Sequence, residues 1–310
     1  MTIAMVFPGQ GSQSQGMQAD LAERFAEIGE VYGEAAEVLG YDLWQLVQEG
    51  PAERLGETMV TQPAMLTAGF AAWRAWQADG GDAPAQMAGH SLGEYTALVC
   101  AGSVSFADAL RVVRRRAELM QDAVPVGDGA MAAILGLDDE AIIAVCREAA
   151  EDGVADAVNF NAPGQVVIAG DAAAVDRAIE LAKAQGARRA LPLPVSVPAH
   201  SALMQGAGEA LQEALAAAAF GAPKTTVIAA SDARPYLDGD DIRQRLSRQV
   251  YTPVRWVDTV SVMLTNGATS VVECGPGKVL AGLMRRIDKT VTCSSVDSVD
   301  GLEKALKGED

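Results

Sequence analysis

Histidine is the scarcest catalytic residue type here: the 310-residue sequence contains only two, His90 and His200. The ordinary pKa of histidine lies near neutral pH, so a reaction that needs an imidazole base has only these candidates. Cysteine is scarce too. The four cysteines are scattered, without a CxxC pair or a histidine at metal-ligand spacing, which argues against a zinc site or a disulfide framework. We expect each of them to be a small buried hydrophobic residue.

Basic residues are outnumbered, since 24 lysines and arginines face 41 aspartates and glutamates, for a net charge of −17. A nucleic-acid-binding surface needs many cations to neutralise phosphates, so this composition argues against a nucleic-acid partner. No uncharged apolar run reaches the roughly 18 residues that a membrane span requires. The first residues lack the basic start and the cleavage site of an export signal. We therefore expect a cytoplasmic protein with no membrane partner.

Hydrophobic residues make up 49% of the chain, which is enough for a large core and for one or two domains. A short apolar strand over 2–7 ends in the turn-forming run PGQGSQ, and helical periodicity follows. Further along, helices are predicted over 63–77, 94–101, 203–218, 241–246 and 278–286, and strands over 85–88, 226–229 and 270–274. This alternation predicts an α/β fold with a mainly parallel sheet.

The middle of the chain has a different pattern. Strands are predicted over 131–135, 154–159, 165–169 and 190–195, and helices over 138–150 and 172–185. The order βαββαβ is that of a ferredoxin-like unit, and Gly/Pro-rich runs bracket it as linkers. We therefore predict a ferredoxin-like inserted domain over 127–196, within a larger α/β catalytic domain made of 1–126 and 197–310.

Residues 89–93 read GHSLG, the GxSxG pattern of a nucleophile elbow, between a predicted strand and a predicted helix. The serine of such an elbow occupies a strained turn that small residues must flank. Amides at the start of the following helix then face negative charge that develops on a substrate. We predict that Ser91 is a nucleophile. The alternative is an ordinary serine–glycine turn, because GxSxG also occurs by chance.

A serine hydroxyl is a weak nucleophile and needs a base. His90 is adjacent to Ser91 and should point away from it, towards the sheet, as a packed and hydrogen-bonded histidine. His200 lies in the loop VPAHS at the return from the predicted insertion, where a side chain can reach a cleft. We predict that His200 is the base, and the alternative is a solvated loop histidine.

Hydrolases with this elbow place an aspartate or glutamate between the serine and the histidine in the chain. The acids between them here include Asp138, Asp152 and Asp171, which fall in the predicted insertion. This placement weakens the interpretation of the chain as a plain hydrolase.

Arg114, Arg115 and Arg116 form a basic run on a predicted helix, 25 residues after Ser91 at its last member. Successive helical residues point about 100° apart, so the three cannot all face one pocket. An arginine in a pocket would suit a substrate carboxylate, which its planar fork binds in bidentate fashion. Spacing alone does not choose among the three, and a solvated helix face is the alternative.

The loop over residues 9–13, GQGSQ, could be taken for a phosphate-binding loop. The pattern GxGxxG would need a glycine at Ser14, and no Gly-Lys-Ser/Thr follows. We instead predict that amides of this loop approach the serine and supply one oxyanion donor, while the amide of Leu92 supplies the other.

Several motifs together resemble those of the malonyl-CoA:acyl-carrier-protein transacylases of fatty-acid synthesis. They span nearly the whole chain in the family's order: FPGQGSQ at 7–13, GHSLGEY at 89–95, NFNAPGQ at 159–165, VPAH at 197–200, RQVY at 248–251 and GPGK at 275–278. The resemblance implies a hydrolase-like α/β domain with a ferredoxin-like insertion. It also implies an acyltransferase that moves malonyl from malonyl-CoA to the phosphopantetheine thiol of acyl carrier protein, with a coenzyme A thioester as substrate and no cofactor or metal.

The same resemblance implies roles for individual residues. The family's nucleophile falls on Ser91, its base on His200 and its carboxylate-binding arginine on Arg116. Arg114 and Arg115 are left as extra charges without an assigned role.

The resemblance also implies how the reaction's charges are handled. The positions whose main-chain amides form the family's oxyanion hole fall on Gln10 and Leu92. Gln249 matches the residue whose main-chain carbonyl orients the histidine, so no catalytic acid is needed. Leu92 also resembles malonyl-selective more than methylmalonyl-selective members.

Two other functions are compatible with parts of this pattern. A serine thioesterase or esterase would use the same elbow, with water as the acceptor. A non-catalytic relative that only binds carrier protein would be expected to lose Ser91 or His200, and both are present. We expect the protein to be a monomer.

The carrier proteins of such a pathway are acidic, as this chain is, so docking would need a local basic patch. The candidate residues for this patch are Lys183, Arg188, Arg189, Arg285, Arg286 and Lys289.

Overall fold

The structure is a computed structural model that describes residues 2–195 and 197–309. Strands within these residues form two sheets: β1 (Ile3–Phe7), β2 (Gln86–Gly89), β3 (Gly129–Leu135), β4 (Ala155–Ala162), β5 (Gln165–Asp171), β6 (Arg189–Pro192), β7 (Thr226–Ile228), β8 (Ser270–Cys274) and β9 (Thr292–Val296). A short 3₁₀ helix covers Ala202–Met204. The α-helices are α1 (Ala19–Arg24), α2 (Ala26–Leu39), α3 (Leu43–Glu49), α4 (Ala52–Leu55), α5 (Thr58–Ala78), α6 (Gly93–Cys100), α7 (Phe106–Asp122), α8 (Asp139–Ala150), α9 (Ala172–Ala184), α10 (Gln205–Ala217), α11 (Gly239–Gln249), α12 (Trp256–Thr265), α13 (Val279–Ile287) and α14 (Val299–Lys307).

The larger sheet is parallel throughout, in the order β7-β2-β1-β8-β9. Its central strand β1 is buried on both faces. Met5 and Phe7 belong to one hydrophobic cluster, whereas Ala4 and Val6 belong to another on the opposite face. A parallel strand covered by helices on both faces is apolar at every position, which is the pattern that marked this segment in the sequence. The predicted α/β class is confirmed.

The smaller sheet is antiparallel, in the order β4-β5-β3-β6. Helices α8 and α9 pack together and against the sheet, and their apolar sides form a separate core that includes Ile142, Val145 and Val175. The chain order is the predicted βαββαβ. All four strands lie inside the predicted insertion, and the limits of that insertion as a domain stay a prediction.

Two strands of this unit differ in length from the prediction. β4 continues to Ala162 because its pairing with β5 resumes after irregularities in register, whereas the sequence pattern ended it at Asn159. β6 ends at Pro192 because its pairing with β3 extends only over residues 189–192, short of the predicted end at Val195.

Helix α5 begins one turn earlier than the predicted start at Pro63. The amides of Val60 and Thr61 both donate to the carbonyl of Glu57 at 2.8 Å, which starts the helix at Thr58. The proline at which the predicted helix began therefore lies inside the helix.

Other elements were not predicted at all, namely β9, α3, α4, α12 and α14. β9 reads TCSSV, and it is a strand because it completes the edge of the parallel sheet against β8. Among the described residues, no helix combines the length and the apolarity that a membrane crossing needs. Cys146, Cys274 and Cys293 are buried and Cys100 is half-buried, close to the prediction for each.

Candidate active site

Ser91 lies in a sharp turn between β2 and α6. Its φ angle is 51°, in the left-handed region that costs energy for a residue with a side chain. The flanking glycines allow the turn. A Cβ on Gly89 would lie 1.9 Å from the carbonyl carbon of Gly93, and one on Gly93 would lie 2.0 Å from the carbonyl oxygen of Phe7. Both positions therefore exclude every larger residue, which is the packing that a nucleophile elbow requires.

His200 reaches this serine from the loop that follows β6. Its Nε2 lies 2.7 Å from Ser91 Oγ, although the two residues are 109 positions apart in the chain. Its Nδ1 lies 2.7 Å from the main-chain oxygen of Gln249 and 3.1 Å from that of Thr252. A carbonyl oxygen only accepts, so Nδ1 carries the ring proton and Nε2 is left to accept the proton of the serine hydroxyl.

The surroundings of His200 keep its imidazole neutral. The residue is 3% exposed, and burial lowers its pKa to about 3, with the positive charge of Arg116 acting in the same direction. A neutral imidazole is the form that can accept a proton, so His200 can accept one at physiological pH.

Arg116 completes the group around the serine hydroxyl. It projects from α7 and is 2% exposed, with Nη2 at 3.3 Å from Ser91 Oγ. Its remaining partners are amide oxygens: Nη1 donates to Gln62 Oε1 at 2.6 Å, and Nη2 to Gln249 Oε1 at 3.2 Å. Within the described part of the chain no carboxylate forms an ion pair with it. Burial lowers its pKa, but an arginine remains charged at neutral pH.

The neighbouring arginines point elsewhere. Arg114 and Arg115 are exposed, and both pair with Glu118 on the next turn of the same helix, at 3.2 and 3.1 Å. The choice that spacing left open is therefore settled by position, since only Arg116 faces the serine. For the other two residues the solvated helix face is correct.

The acids considered for a third catalytic role lie outside this group. Asp138 caps helix α8 by accepting from the amide of Ala141 at 2.8 Å, and Asp171 accepts from the amide of Val154 at 2.6 Å. Asp152 is exposed. The partner of His200 Nδ1 is instead a main-chain carbonyl, that of Gln249.

The two residues assigned to the oxyanion hole lie beside the serine. Gln10 and Leu92 both line the cavity that contains Ser91 Oγ. The loop approaches closely, because a Cβ on Gly9 would lie 2.5 Å from the carbonyl oxygen of His90. No hydrogen bond within the described residues uses the amide of Gln10 or of Leu92. Both amides are therefore available as donors to a substrate.

The cavity at these residues has a volume of about 130 Å³. Much of its wall is apolar and comes from α7, β3 and the segment after β6, through Met120, Met131, Leu193, Val195, Val197 and Ala199. A wider groove shares Gln10, Thr58, Leu193 and Val195 with the cavity. The enclosed part is suited to a short acyl group, and the groove to a longer extended chain.

His90 is packed and hydrogen-bonded, as predicted. Its Nε2 lies 2.8 Å from Asn161 Oδ1, on β4, and its ring centroid lies 5.5 Å from that of Trp256. The residue is half-buried and lines the active-site cavity. Its ring therefore bonds to a strand of the smaller sheet and adjoins a buried tryptophan, at the edge of the cavity.

Three further groups at the site were not singled out from the sequence: Gln62, Glu94 and the side chain of Gln249. Gln249 Nε2 donates to the main-chain oxygen of Ser91 at 2.9 Å and to Glu94 Oε2 at 3.0 Å. Glu94 is completely buried, and burial raises its pKa. An acid inside the apolar stretch of α6 was a usable signal, because a buried carboxyl needs dedicated partners. Gln62 carried no such signal.

Within residues 2–195 and 197–309, no group of histidine, cysteine and acidic side chains is arranged to hold a metal ion.

Two residues of the basic patch predicted for carrier docking lie close to the turn between β4 and β5. Arg188 contacts Gly136, whose amide donates to Gly164 in the β4–β5 turn, and Arg286 bonds to Gln165 in the same turn. Lys183, in contrast, is paired with Glu180 at 2.7 Å.

The acyl transferase domain family matches this chain over residues 4–251, a range that contains Ser91, Arg116 and His200. A curated relative, the malonyl CoA-acyl carrier protein transacylase of Escherichia coli strain K12, is 54% identical over 304 residues, with 98% of each chain covered. The chain belongs to the malonyl-CoA–acyl carrier protein transacylase family. The transacylase of Bacillus subtilis strain 168 is 43% identical over 98% of this chain and 96% of its own length.

Solved structures of transacylases have the same fold. An acyl carrier protein S-malonyltransferase from Vibrio cholerae superposes with a TM-score of 0.96 at 53% identity, covering 98% of this chain and 100% of its own. The malonyl-transacylase PlMCAT, solved in complex with the type II polyketide synthase carrier protein AntF, gives a TM-score of 0.98 at 51% identity over 100% of both chains. The resemblance drawn from the sequence motifs is confirmed.

Proposed function

We propose that the protein transfers a malonyl group from malonyl-CoA to the phosphopantetheine thiol of acyl carrier protein, through a malonyl-serine intermediate on Ser91. The observation that carries this proposal is the position of Arg116, a buried cation 3.3 Å from the serine hydroxyl that forms no ion pair with a carboxylate in the described part of the chain. A hydrolase of simple esters has no use for such a charge. A substrate that carries its own carboxylate does, because it pairs with the guanidinium.

The first half of the reaction loads the serine. His200 Nε2 accepts the proton of the Ser91 hydroxyl as Oγ attacks the thioester carbonyl of malonyl-CoA. The amides of Gln10 and Leu92 donate to the oxygen that becomes negative. The carbon–sulfur bond then breaks, and coenzyme A leaves with the proton that His200 held.

The second half reverses these steps with another thiol. The phosphopantetheine thiol of the carrier gives its proton to His200, and its sulfur attacks the carbonyl of the malonyl-serine ester. The same amides hold the oxyanion. The bond between the carbonyl carbon and Ser91 Oγ breaks, and Oγ takes the proton back from His200. Malonyl-CoA and the carrier protein react at the same site one after the other, so the kinetics are ping-pong.

The main-chain oxygen of Gln249 takes the place of a catalytic acid. It accepts from His200 Nδ1 at 2.7 Å, which fixes the tautomer and the direction of the ring. A neutral carbonyl stabilises the transient imidazolium less than a carboxylate would. The absence of an acid matters less here, because a thiolate is a better leaving group than an amine.

Two further statements belong to this proposal. The reaction needs no resident cofactor, since the coenzyme A thioester is the substrate and supplies the activated acyl group. A cytoplasmic location suits an enzyme that consumes such a thioester. Supply of malonyl groups to fatty-acid synthesis is the role we assign. The monomeric state stays a prediction.

Mass spectrometry of the intact protein tests the proposal. After exposure to malonyl-CoA, the protein should gain one malonyl group, which holo carrier protein then removes and carries itself. Ser91→Ala should remain unlabelled. Labelling of that variant would show that another residue is the nucleophile. Rapid loss of the adduct without carrier, with release of free malonate, would instead identify a thioesterase.

A further inference from the structure

The side-chain carboxamide of Gln249 connects the nucleophile turn to Arg116. Its Nε2 donates to the main-chain oxygen of Ser91 at 2.9 Å, and its Oε1 accepts from Arg116 Nη2 at 3.2 Å. A carboxamide has a donor end and an acceptor end of similar size, so its hydrogen-bond partners decide which end faces which neighbour. Turned by 180°, it would present N–H groups to a guanidinium that has no acceptor.

Glu94 supplies a further partner for the donor end of this carboxamide. Its Oε2 accepts from Gln249 Nε2 at 3.0 Å and from the amide of Ala230 at 3.2 Å, while its Oε1 accepts from the Tyr236 hydroxyl. Three donors, one on α11 and two in the segment between β7 and α11, thus hold one carboxyl group, which is 0% exposed. Glu94 does not line the cavity and cannot touch a substrate there.

We propose that Glu94 is a positioning residue for the substrate-binding arginine. It holds the Gln249 carboxamide with its oxygen towards Arg116, and in this way fixes the direction of the guanidinium. The inference rests on the proposed function, because it concerns how the site selects an acyl group that carries a carboxylate.

The guanidinium is held at two of its corners. Gln62 Oε1 accepts from Nη1 at 2.6 Å and Gln249 Oε1 accepts from Nη2, while the buried Nε has no partner among the described residues. Two acceptors at separate nitrogens set the plane of the fork. A carboxylate is bound best when that plane is already directed at it, so loss of either acceptor costs malonyl binding.

Three substitutions of Glu94 test the length and the charge of its side chain separately. Glu94→Gln keeps an oxygen within reach of Gln249 Nε2, and its new amide can donate to the Tyr236 hydroxyl, which can also accept. Glu94→Asp keeps the charge but withdraws the carboxylate by one methylene. Glu94→Ala removes the acceptor altogether and leaves three buried donors without it.

The experiment compares acyl-enzyme formation from malonyl-CoA and from acetyl-CoA, as the ratio of the two kcat/KM values. Glu94→Ala should lower this ratio roughly 10- to 150-fold, the usual effect of one hydrogen bond to a charged group. Glu94→Asp should also lower it, and Glu94→Gln should keep it close to that of the wild type. Acetyl transfer should change little, because acetyl has no carboxylate for Arg116. A general defect of the fold would lower both rates together.

Glu273 offers a matched control. It is also a completely buried glutamate, but its oxygens accept from the amides of Leu280 and Ala281, away from the cavity lining. Glu273→Ala should lower the melting temperature and leave the malonyl-to-acetyl ratio unchanged. If Glu94→Ala does not fold, the Asp and Gln variants decide by themselves. A wild-type ratio in the Ala or Asp variant would overturn the inference, while a wild-type enzyme that takes no malonyl group would overturn the proposed function instead.

Discussion

Arg116 and Ser91 meet at the active site with the guanidinium Nη2 3.3 Å from the hydroxyl Oγ, although α7 and the nucleophile turn are separate parts of the chain. One cation therefore adjoins both the nucleophile and the space in which an acyl group attached to it would lie. A charge this close to the reacting oxygen favours its ionised form. In the proposed reaction, a carboxylate two bonds beyond the ester carbonyl reaches the same guanidinium.

Arg116→Ala should change the acyl preference of the enzyme. Loss of a buried charge pair costs about 2–5 kcal/mol, so kcat/KM for malonyl-CoA should fall roughly 30- to 5,000-fold. Acetyl-CoA forms no such pair and should be affected far less. Coenzyme A release with each thioester measures both values. The matched control is Arg115→Ala, since Arg115 is exposed and paired with Glu118. An unchanged malonyl preference in Arg116→Ala would remove this residue from substrate binding.

The rate of acyl-enzyme formation should hardly change between pH 8 and pH 5. Burial and the charge of Arg116 lower the pKa of His200 to about 3, so its neutral, proton-accepting form persists as the pH falls. A histidine with the ordinary pKa of about 6.5 would retain only about 3% of that form at pH 5. Stopped-flow measurement of coenzyme A release across this range distinguishes the two cases. A loss of rate centred near pH 6.5 would contradict the lowered pKa.

Gly89→Ala should destabilise the protein strongly. Its Cβ would lie 1.9 Å from the carbonyl carbon of Gly93, and neither backbone segment at the elbow can move away freely. We expect a loss well above the roughly 1 kcal/mol typical of point substitutions, measured by chemical denaturation. Gly33→Ala is the control, because Gly33 lies in α2 with open space at its Cβ position. That variant should gain about 0.5–1 kcal/mol from the better helix propensity of alanine. Equal stability of the two variants would contradict the packing at the elbow.

Charge reversal around the β4–β5 turn should weaken use of the carrier protein. Arg188, just before β6, and Arg286, on α13, each contact a residue next to this turn, on an otherwise acidic molecule. The double variant Arg188→Glu/Arg286→Glu should raise KM for the carrier, and less so at high salt, without changing acylation by malonyl-CoA. Arg111→Glu, on the exposed side of α7, makes the same kind of charge change elsewhere. An unaltered KM for the carrier would exclude this surface as its docking site.

The order of helices and strands and most of the candidate site residues could be predicted from the sequence, because both follow from local patterns. The strand–turn–helix around Ser91 needs only glycines at fixed spacing. The selection of Arg116 among the three arginines could also have been predicted from the sequence. Arg116 lies three and four residues after Val113 and Val112 and four residues before Met120, a spacing that places all four on the buried face of α7. Arg114 and Arg115 fall outside that face.

Other parts of the site could not be predicted, because they depend on contacts between distant segments. Gln62 lies 54 residues before Arg116, and only the packing of α5 against α7 brings them to hydrogen-bond distance. The same applies to His90, whose partner Asn161 comes from the antiparallel sheet. Helix ends were uncertain for a related reason, since the start of α5 depends on hydrogen bonds to Glu57, which lies six residues before Pro63.

Part of the wall of the acyl cavity comes from a different stretch of the chain than the proposed reacting groups, while Met120, Val197 and Ala199 line it from outside 129–195. Met131 and Leu193 line the wall from β3 and from the segment just after β6, whereas Ser91, His200 and Arg116 all lie outside 129–195. Cavity size and the proposed bond-making chemistry are therefore encoded in partly separate stretches of sequence. An exchange of residues 129–195 between relatives could alter which acyl groups fit while the proton transfers stay the same. Substitutions within 129–195 can therefore change the acyl group that the cavity binds during evolution, while the proposed catalytic residues stay the same.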